Sequence, residues 1–542
     1  MDILSSRSRL VFVCVFVLCL AADFVLARHL LPNSDSVQSY TEMLAVRSGN
    51  VRLQHWVLAT DDYILTDLAP MLAGSLVLGR GAALIYVVPF VVFASMLATA
   101  IQIVRTVART HEGRLAGAYA VLLLFGIPWS LLYNFFFWSD FHVATITLAL
   151  VAILAIAPAW SGEAFHRWRL LPFTCLVFAA AFSDPLADIL LAAPVVFLVM
   201  LRAWSSGASR SDEWLVAGCA AFGAAGGMIA LHLLVRSGAS FSIRPSASLD
   251  LVPNIGAALR DFHAILGAEQ VLFNARARLI RTLPLHELIA ALRLLTAFGV
   301  ATLCGAVLWR LPRSPQAGTA QLLVAGGLCV TTLATFSSTF AASVASGDDF
   351  PGAAVRFGVP IFVFLGLAAA LELANLASRL RPHWLLAAGS CLALVQASGA
   401  GVATFKAAEA PAGIHAGPDA ALAAWLLRNH FSYGIGDYWD TQLVEALTCG
   451  AVQADPVVNI GGPLQLWPWL TDTSRFGPHN KPQFAIIRPY GLFRVDLASI
   501  TRTYGTPVDI TLVANQFYVA RLTTSSRGLG GADATPTACL GK

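Results

Sequence analysis

The stretch RLVFVCVFVLCLAADFVLARHLLPNSDSVQSY, Arg9 to Tyr40, decides what kind of chain this is. Its first part, from Leu10 to Ala27, is apolar apart from Asp23 and close to the roughly 20 residues that a helix needs to cross a bilayer. Beyond Pro32 the chain turns polar and offers Asp35, with no further acid before Glu42. A helix leaving a bilayer needs polar residues at its end, and that is the blander account of Asp35. The sharper account makes it a catalytic base facing a lipid-borne substrate.

The remainder of the chain extends the pattern. Of 542 residues, 57% are hydrophobic and 12% charged, against roughly a quarter charged in a soluble chain. Separate apolar runs predict about eleven spans, near 9–27, 81–104, 115–133, 143–160, 170–183, 186–201, 214–235, 286–309, 321–345, 356–374 and 384–403. FSDPLAD interrupts the fifth and sixth, which read either as two short helices or as one broken helix. Arginines cluster in alternate short loops (105, 109, 114; 167, 169; 202, 210; 310, 313; 379, 381). By the positive-inside rule the N-terminus is then cytoplasmic and the C-terminal part lies outside. The first run also admits a reading as a cleaved signal peptide, with VLA before Arg28 as the cleavage site.

The net charge of +4 is too small for this length to suggest a nucleic-acid partner. Seven of the cysteines fall in apolar runs and read as small hydrophobes. Cys449 and Cys539 alone lie in the polar C-terminal part, where export would pair them. Residues 1–403 read as a transmembrane domain with long outer loops at 28–80 and 236–285. In the second of these, VPNIGAALRDFHAIL repeats apolar residues at helical spacing and reads as an amphipathic helix on the bilayer. Residues 404–542 alternate helix-like stretches (PDAALAAWLLRNH, DYWDTQLVEALT) with strand-like ones (FAIIRP, VDITLV, QFYVARL). They predict a small α/β domain with a disordered tail after 522. The fold class is therefore mostly α, a polytopic helical bundle with an extracytoplasmic α/β domain.

Ionisable residues near membrane depth are costly and usually functional or paired. The outer side collects Asp35, Asp61, Asp62, Asp67, Asp140 with His142, Asp184, and Asp348 with Asp349, together with Arg356. Ordinary roles compete for several of them. Asp61, Asp62 and Asp67 suit a helix start, Asp184-Pro185 suits a cap, and Arg356 suits snorkelling to headgroups. Asp140 and His142, set between NFFFW and an apolar helix, are harder to explain that way.

This arrangement resembles the GT-C superfamily of polytopic glycosyltransferases, in its uncharacterised bacterial branch. The resemblance is carried by PNSDSVQSY, GNVRLQHWVLATDDYILTDLAP, SDFHVAT, AAVRFGVPIF and YGIGDYWDTQLVEALTCG. It implies a GT-C-like fold in the bacterial inner membrane, a periplasmic C-terminal domain, and transfer from a polyprenyl-phosphate sugar to an envelope glycan, lipid or protein. Asp35 takes the position of the family's catalytic base. Better-studied members often show paired acids (DE or DxD) in the first loop, whereas Asp35 stands alone between serines, which leaves the need for a divalent cation open.

The chemistry suits the residues. An inverting transfer needs a carboxylate to take the acceptor proton, here Asp35, and positive charge where the phosphate leaves, here Arg356. Asp140 and His142 would position the acceptor or hold a metal, with Asp61 and Asp62 as further substrate-binding candidates. Tyr438, Trp439, Trp467 and Trp469 read as sugar-stacking or, more simply, packing aromatics. No glycine pattern supports a nucleotide cofactor. The rival reading is a transport or assembly protein (flippase, ligase, polymerase or non-catalytic scaffold) on a similar helical frame.

Overall fold

The apolar runs fold as helices in this computed structural model. It describes residues 2–59, 61–126, 135–161, 165–206, 211–238, 240–243, 299–300, 302–307, 318–336, 358–380, 389, 413–477, 480–489, 491 and 493–522. In chain order the helices of the first part are α1 (Asp2–Arg28), α2 (Gln38–Arg47), α3 (Ala69–Leu78), α4 (Leu84–Val107), α5 (His111–Phe125) and α6 (Val143–Ser161). Then follow α7 (Leu170–Ser183), α8 (Ala193–Ser206), α9 (Ser211–Arg236), α10 (Gly318–Phe336) and α11 (Gly358–Leu380). Among the described residues, α1, α4, α6, α9 and α11 each hold a stretch long and apolar enough to cross a membrane. The chain is a polytopic membrane helical bundle. The spans expected at 286–309 and 384–403, and the amphipathic helix of the second outer loop, lie mostly or wholly outside the described residues.

FSDPLAD proves to be a break between two helices. α7 ends at Ser183, Asp184 is extended, and a π-helical turn, Asp188–Ala192, leads into α8. A second π-helical turn, Ile64–Leu68, precedes α3 and buries Thr66 and Asp67. Such turns shift side chains off the helical register and recur at functional sites. Helices α7 and α9 approach closely because α9 presents glycine there. A Cβ at Gly227 would lie 2.6 Å from the Phe178 carbonyl oxygen, so small residues let the backbones meet, as is usual where lipid supplies no hydrophobic drive.

The C-terminal residues build a sheet domain from α12 (Gly417–Arg428), α13 (Tyr438–Leu447), α14 (Leu497–Tyr504) and short strands. The strands of the chain are β1 (Trp56–Leu58), β2 (Ser242–Ile243), β3 (Tyr433–Gly436), β4 (Gln453–Val458), β5 (Gln465–Leu466), β6 (Thr471–Asp472), β7 (Phe484–Ile487), β8 (Asp509–Val513) and β9 (Phe517–Arg521). Six of them form a sheet in the order β5-β4-β3-β7-β9-β8. β3 runs parallel to β4 and β7, and β9 runs antiparallel to β7 and β8. α13 is the crossover between β3 and β4, capped by Asp437, whose side chain accepts from the Trp439 N–H.

A second sheet, β2-β1-β6, joins the connection between α2 and α3 to this domain: Trp56 pairs with Asp472 and Val57 with Thr471. A shared apolar core lies beneath it, with Val37, Tyr40, Met43 and Trp56 of the loop packed with Ala423, Leu443, Ala446 and Leu447 of the domain. The domain therefore sits directly over the loop that carries Asp35.

Candidate active site

The end of the bundle under the C-terminal domain gathers acids from four separate connections. Asp35 opens a short 3-10 turn, Asp35–Val37, between α1 and α2, and is half-buried. One turn further on, Ser39 donates to Asp140 through both its hydroxyl (2.6 Å) and its N–H (3.3 Å). Asp140 and His142 belong to the connection before α6 and are buried. The Asp140 N–H donates to Asp67 Oδ1 at 3.2 Å, so Asp67 anchors this connection instead of capping α3.

His142 turns to the break after α7. Its Nδ1 lies 2.7 Å from Asp184 Oδ2, the oxygen that also accepts from the Thr145 hydroxyl at 2.6 Å. A carboxylate accepts only, so Nδ1 carries the proton in this contact. The other oxygen of Asp184 caps the Leu186 N–H at 2.9 Å, so the capping role expected of it is real and fills half of its capacity. Tyr63 ties the first loop to the same point. Its hydroxyl lies 3.4 Å from both Asp61 Oδ2 and His142 Nδ1, and its N–H donates to the Ser183 carbonyl at 3.1 Å. Asp62 caps the Ile64 N–H at 2.9 Å.

Two further observations mark this region. Tyr63, Asp140 and His142 all adopt left-handed backbone conformations, at φ 52°, 66° and 66°. Non-glycine residues reach that region at a cost, and such strain concentrates at functional sites. Among the described residues the acids are also poorly neutralised, and Glu42 Oε2, Asp62 Oδ2 and Asp67 Oδ2 are buried with no hydrogen-bond partner there. Burial, with the Asp62 and Asp67 charges adding to it, pushes Glu42 up to about 8, although Gln38 donates to it at 2.8 Å. Burial pushes Asp62 up to about 7 and Asp67 up to about 6. Asp140 is raised by burial first and then by Asp67 and Glu42. Asp184 alone goes down, because His142 and its hydrogen bonds outweigh its burial.

No family model matches the chain, and no curated protein matches it. Among solved structures the chain is similar to the crystal structure of ArnT from Cupriavidus metallidurans bound to undecaprenyl phosphate. The identity is 12%, the match covers 97% of this chain and 100% of that one, and the TM-score is 0.43. So distant a likeness carries no function across.

The donor set bears on a cation. Asp61, His142 and Asp184 offer ligand atoms within 4.8 Å of one another, a nitrogen and carboxylate oxygens of the kind that suits zinc or manganese. Of the two metal candidates read from the sequence, only His142 stands in this set. Asp140 is spent on Ser39 and on the connection's own geometry. Arg356, Asp348 and Asp349 lie outside the described residues. Cys449 is held in a disulfide, and Cys539, its expected partner, also lies outside them.

Sequence reasoning missed Ser39, Tyr63 and Thr145 as partners, and Glu42 as a member of the cluster. Thr145 had a local signal, lying only three residues after His142 in the first turn of α6. Tyr438 was assigned to packing or stacking. It does pack edge-on against Trp439 and Phe493, with ring centroids at 5.2 Å and 6.3 Å, and its hydroxyl reaches Asp35 as well, at 2.7 Å.

Proposed function

We propose that this chain is a membrane glycosyltransferase of the GT-C type, working at the outer face of a bacterial inner membrane. It moves a sugar from a polyprenyl-phosphate donor to an envelope acceptor. The observation that carries this reading is the convergence of Asp35, Asp61, Asp62, Asp140 and His142 on one end of the bundle, in strained and under-neutralised surroundings, beneath the C-terminal domain. The sequence motifs shared with that superfamily support it independently.

In this mechanism Asp35 takes the proton of the acceptor hydroxyl as its oxygen attacks the anomeric carbon. The bond from that carbon to the phosphate oxygen breaks with inversion, and the lipid phosphate leaves with the bonding pair. Arg356 is the residue assigned to hold that phosphate. Asp62 orients the acceptor, and Asp140, fixed by two bonds from Ser39, holds the turn beside it in place. A divalent cation held by Asp61, His142 and Asp184 would add positive charge close to the departing phosphate.

The test is transfer from a radiolabelled polyprenyl-phosphate sugar in reconstituted membranes. Asp35→Asn, which keeps an oxygen to accept from the Tyr438 phenol, is expected to cut the rate by about 10²–10⁴-fold while the protein stays folded. The transport reading draws on the broken helix at Ser183–Ala192. It gains if Asp35→Asn leaves transfer untouched while movement of a labelled lipid across the bilayer depends on the chain.

A further inference from the structure

Tyr438 is the first residue of α13, in the C-terminal domain, yet two of its polar atoms are bound to the turn that carries Asp35. The phenol donates to Asp35 Oδ1 at 2.7 Å, and the Tyr438 carbonyl accepts from the Ser34 hydroxyl at 3.0 Å. The ring is 3% exposed and wedged edge-on against Trp439 and Phe493, so the hydroxyl has little freedom to swing away. Burial, and then the Asp35 charge, push the phenol well above its ordinary value, which keeps it a donor. Such an arrangement does more than hold two domains together. A hydrogen bond to a carboxylate favours its ionised form and fixes which oxygen points where.

We propose that Tyr438 is a positioning residue for Asp35, supplied by the C-terminal domain, so that this domain completes the catalytic centre. The inference rests on the transferase reading, in which Asp35 is the base. The phenol binds Oδ1 and so fixes the orientation of the carboxylate about its own axis. Other titratable groups face this point. Asp140 is bonded to Ser39 one turn along, Glu42 lies further along α2, and Asp437 and Asp440 flank Tyr438 on its own side. None of these loses a hydrogen bond when the phenol is removed.

The sign follows from the bond. Without the phenol the ionised form of Asp35 is less favoured, its pKa rises, and the base becomes competent only at higher pH. Tyr438→Phe is therefore expected to move the acid limb of the kcat/KM profile up by about one pH unit. Transfer on the alkaline side should fall only severalfold, with the KM for the lipid donor roughly unchanged. Trp439→Phe, which loses packing on the same turn, should leave the limb in place. An unmoved limb in Tyr438→Phe, or an equal shift in Trp439→Phe, overturns the proposal.

A second measurement is independent of activity. Melting temperatures of Asp35→Ala, Tyr438→Phe and the double variant should be non-additive, since each single change removes the same bond. Additive shifts overturn the contact itself. If the unaltered protein transfers no sugar from any lipid-phosphate donor while the coupling holds, the transferase reading falls and Tyr438 loses its role toward a base, although the bond between the domains stands.

Discussion

Two groups of buried acids in this molecule are handled in opposite ways. In the C-terminal domain Glu445, Asp455 and Asp440 are met by arginine, while Asp437 is held by the Trp439 and Phe493 N–H groups. Arg475 lies 2.9 Å from Glu445 and 3.5 Å from Asp455, and Arg488 lies 2.6 Å from Asp440 and 3.1 Å from Asp419. At the end of the bundle, Glu42, Asp62, Asp67 and Asp140 have no arginine or lysine bonded to them among the described residues. Their partners are serine, glutamine and backbone N–H groups. Burying a charge costs several kcal/mol unless it is paired. The first group is explained by its partners, so it is architecture. The second has no cationic partner of this kind among the described residues, and is open to a proton, a cation or a substrate.

The sharpest way to break this contrast is to remove an arginine. Arg475→Met leaves Glu445 and Asp455 buried and uncompensated, and should destabilise the C-terminal domain by about 3–5 kcal/mol. A loss within experimental error would mean that the domain's acids are no better paired than those of the bundle. A smaller effect is expected from added Zn²⁺ or Mn²⁺. At a hundredfold excess over its Kd, a cation bound by the folded state raises stability by about 2.7 kcal/mol, and His142→Ala should remove that gain. A melting shift that survives His142→Ala places the cation elsewhere.

The smallest effect is expected at Glu42, where burial lifts the folded-state pKa from 4.5 to about 8. A raised carboxyl favours the fold fully below its unfolded value and loses that contribution as pH rises through the folded one. The protein should therefore melt lower at pH 8 than at pH 5. Glu42→Gln, which keeps the shape and drops the charge, should flatten this dependence by on the order of 1 kcal/mol or more. A slope that Glu42→Gln leaves unchanged would assign it to other acids.

The contrast also shows what the sequence could convey. Helices α4, α6 and α9 were legible because hydropathy is a local property, as was the break at FSDPLAD, where Pro185 forbids a continuous ladder. β3 was not. YGIG offers too little β-branched surface to read as a strand, and its glycines matter for another reason, since a Cβ at Gly434 would collide with the Phe484 ring. β4 was hidden by Pro456, which usually demotes a strand. At the site, Asp140 and His142 stood out because charge is rare beside NFFFW. Their partners did not, because Ser39 lies 101 residues from Asp140 and Tyr438 lies 403 from Asp35. Nothing local distinguishes a serine or tyrosine that bonds through space from one that does not.

The pairing of β1 with β6 sets an order on biosynthesis. Thr473, beside β6, donates to the His55 carbonyl beside β1, 418 residues earlier in the chain. At about 5–20 residues per second, the first loop waits roughly 20–80 s for that strand to be made. During this interval β1 is an open edge, Trp56 lacks its cover, and Tyr438 does not yet exist beside Asp35. Synthesis itself thus acts as a timer, and no nascent chain, however well inserted, holds a finished site until the sheet domain that carries β6 and Tyr438 has been delivered.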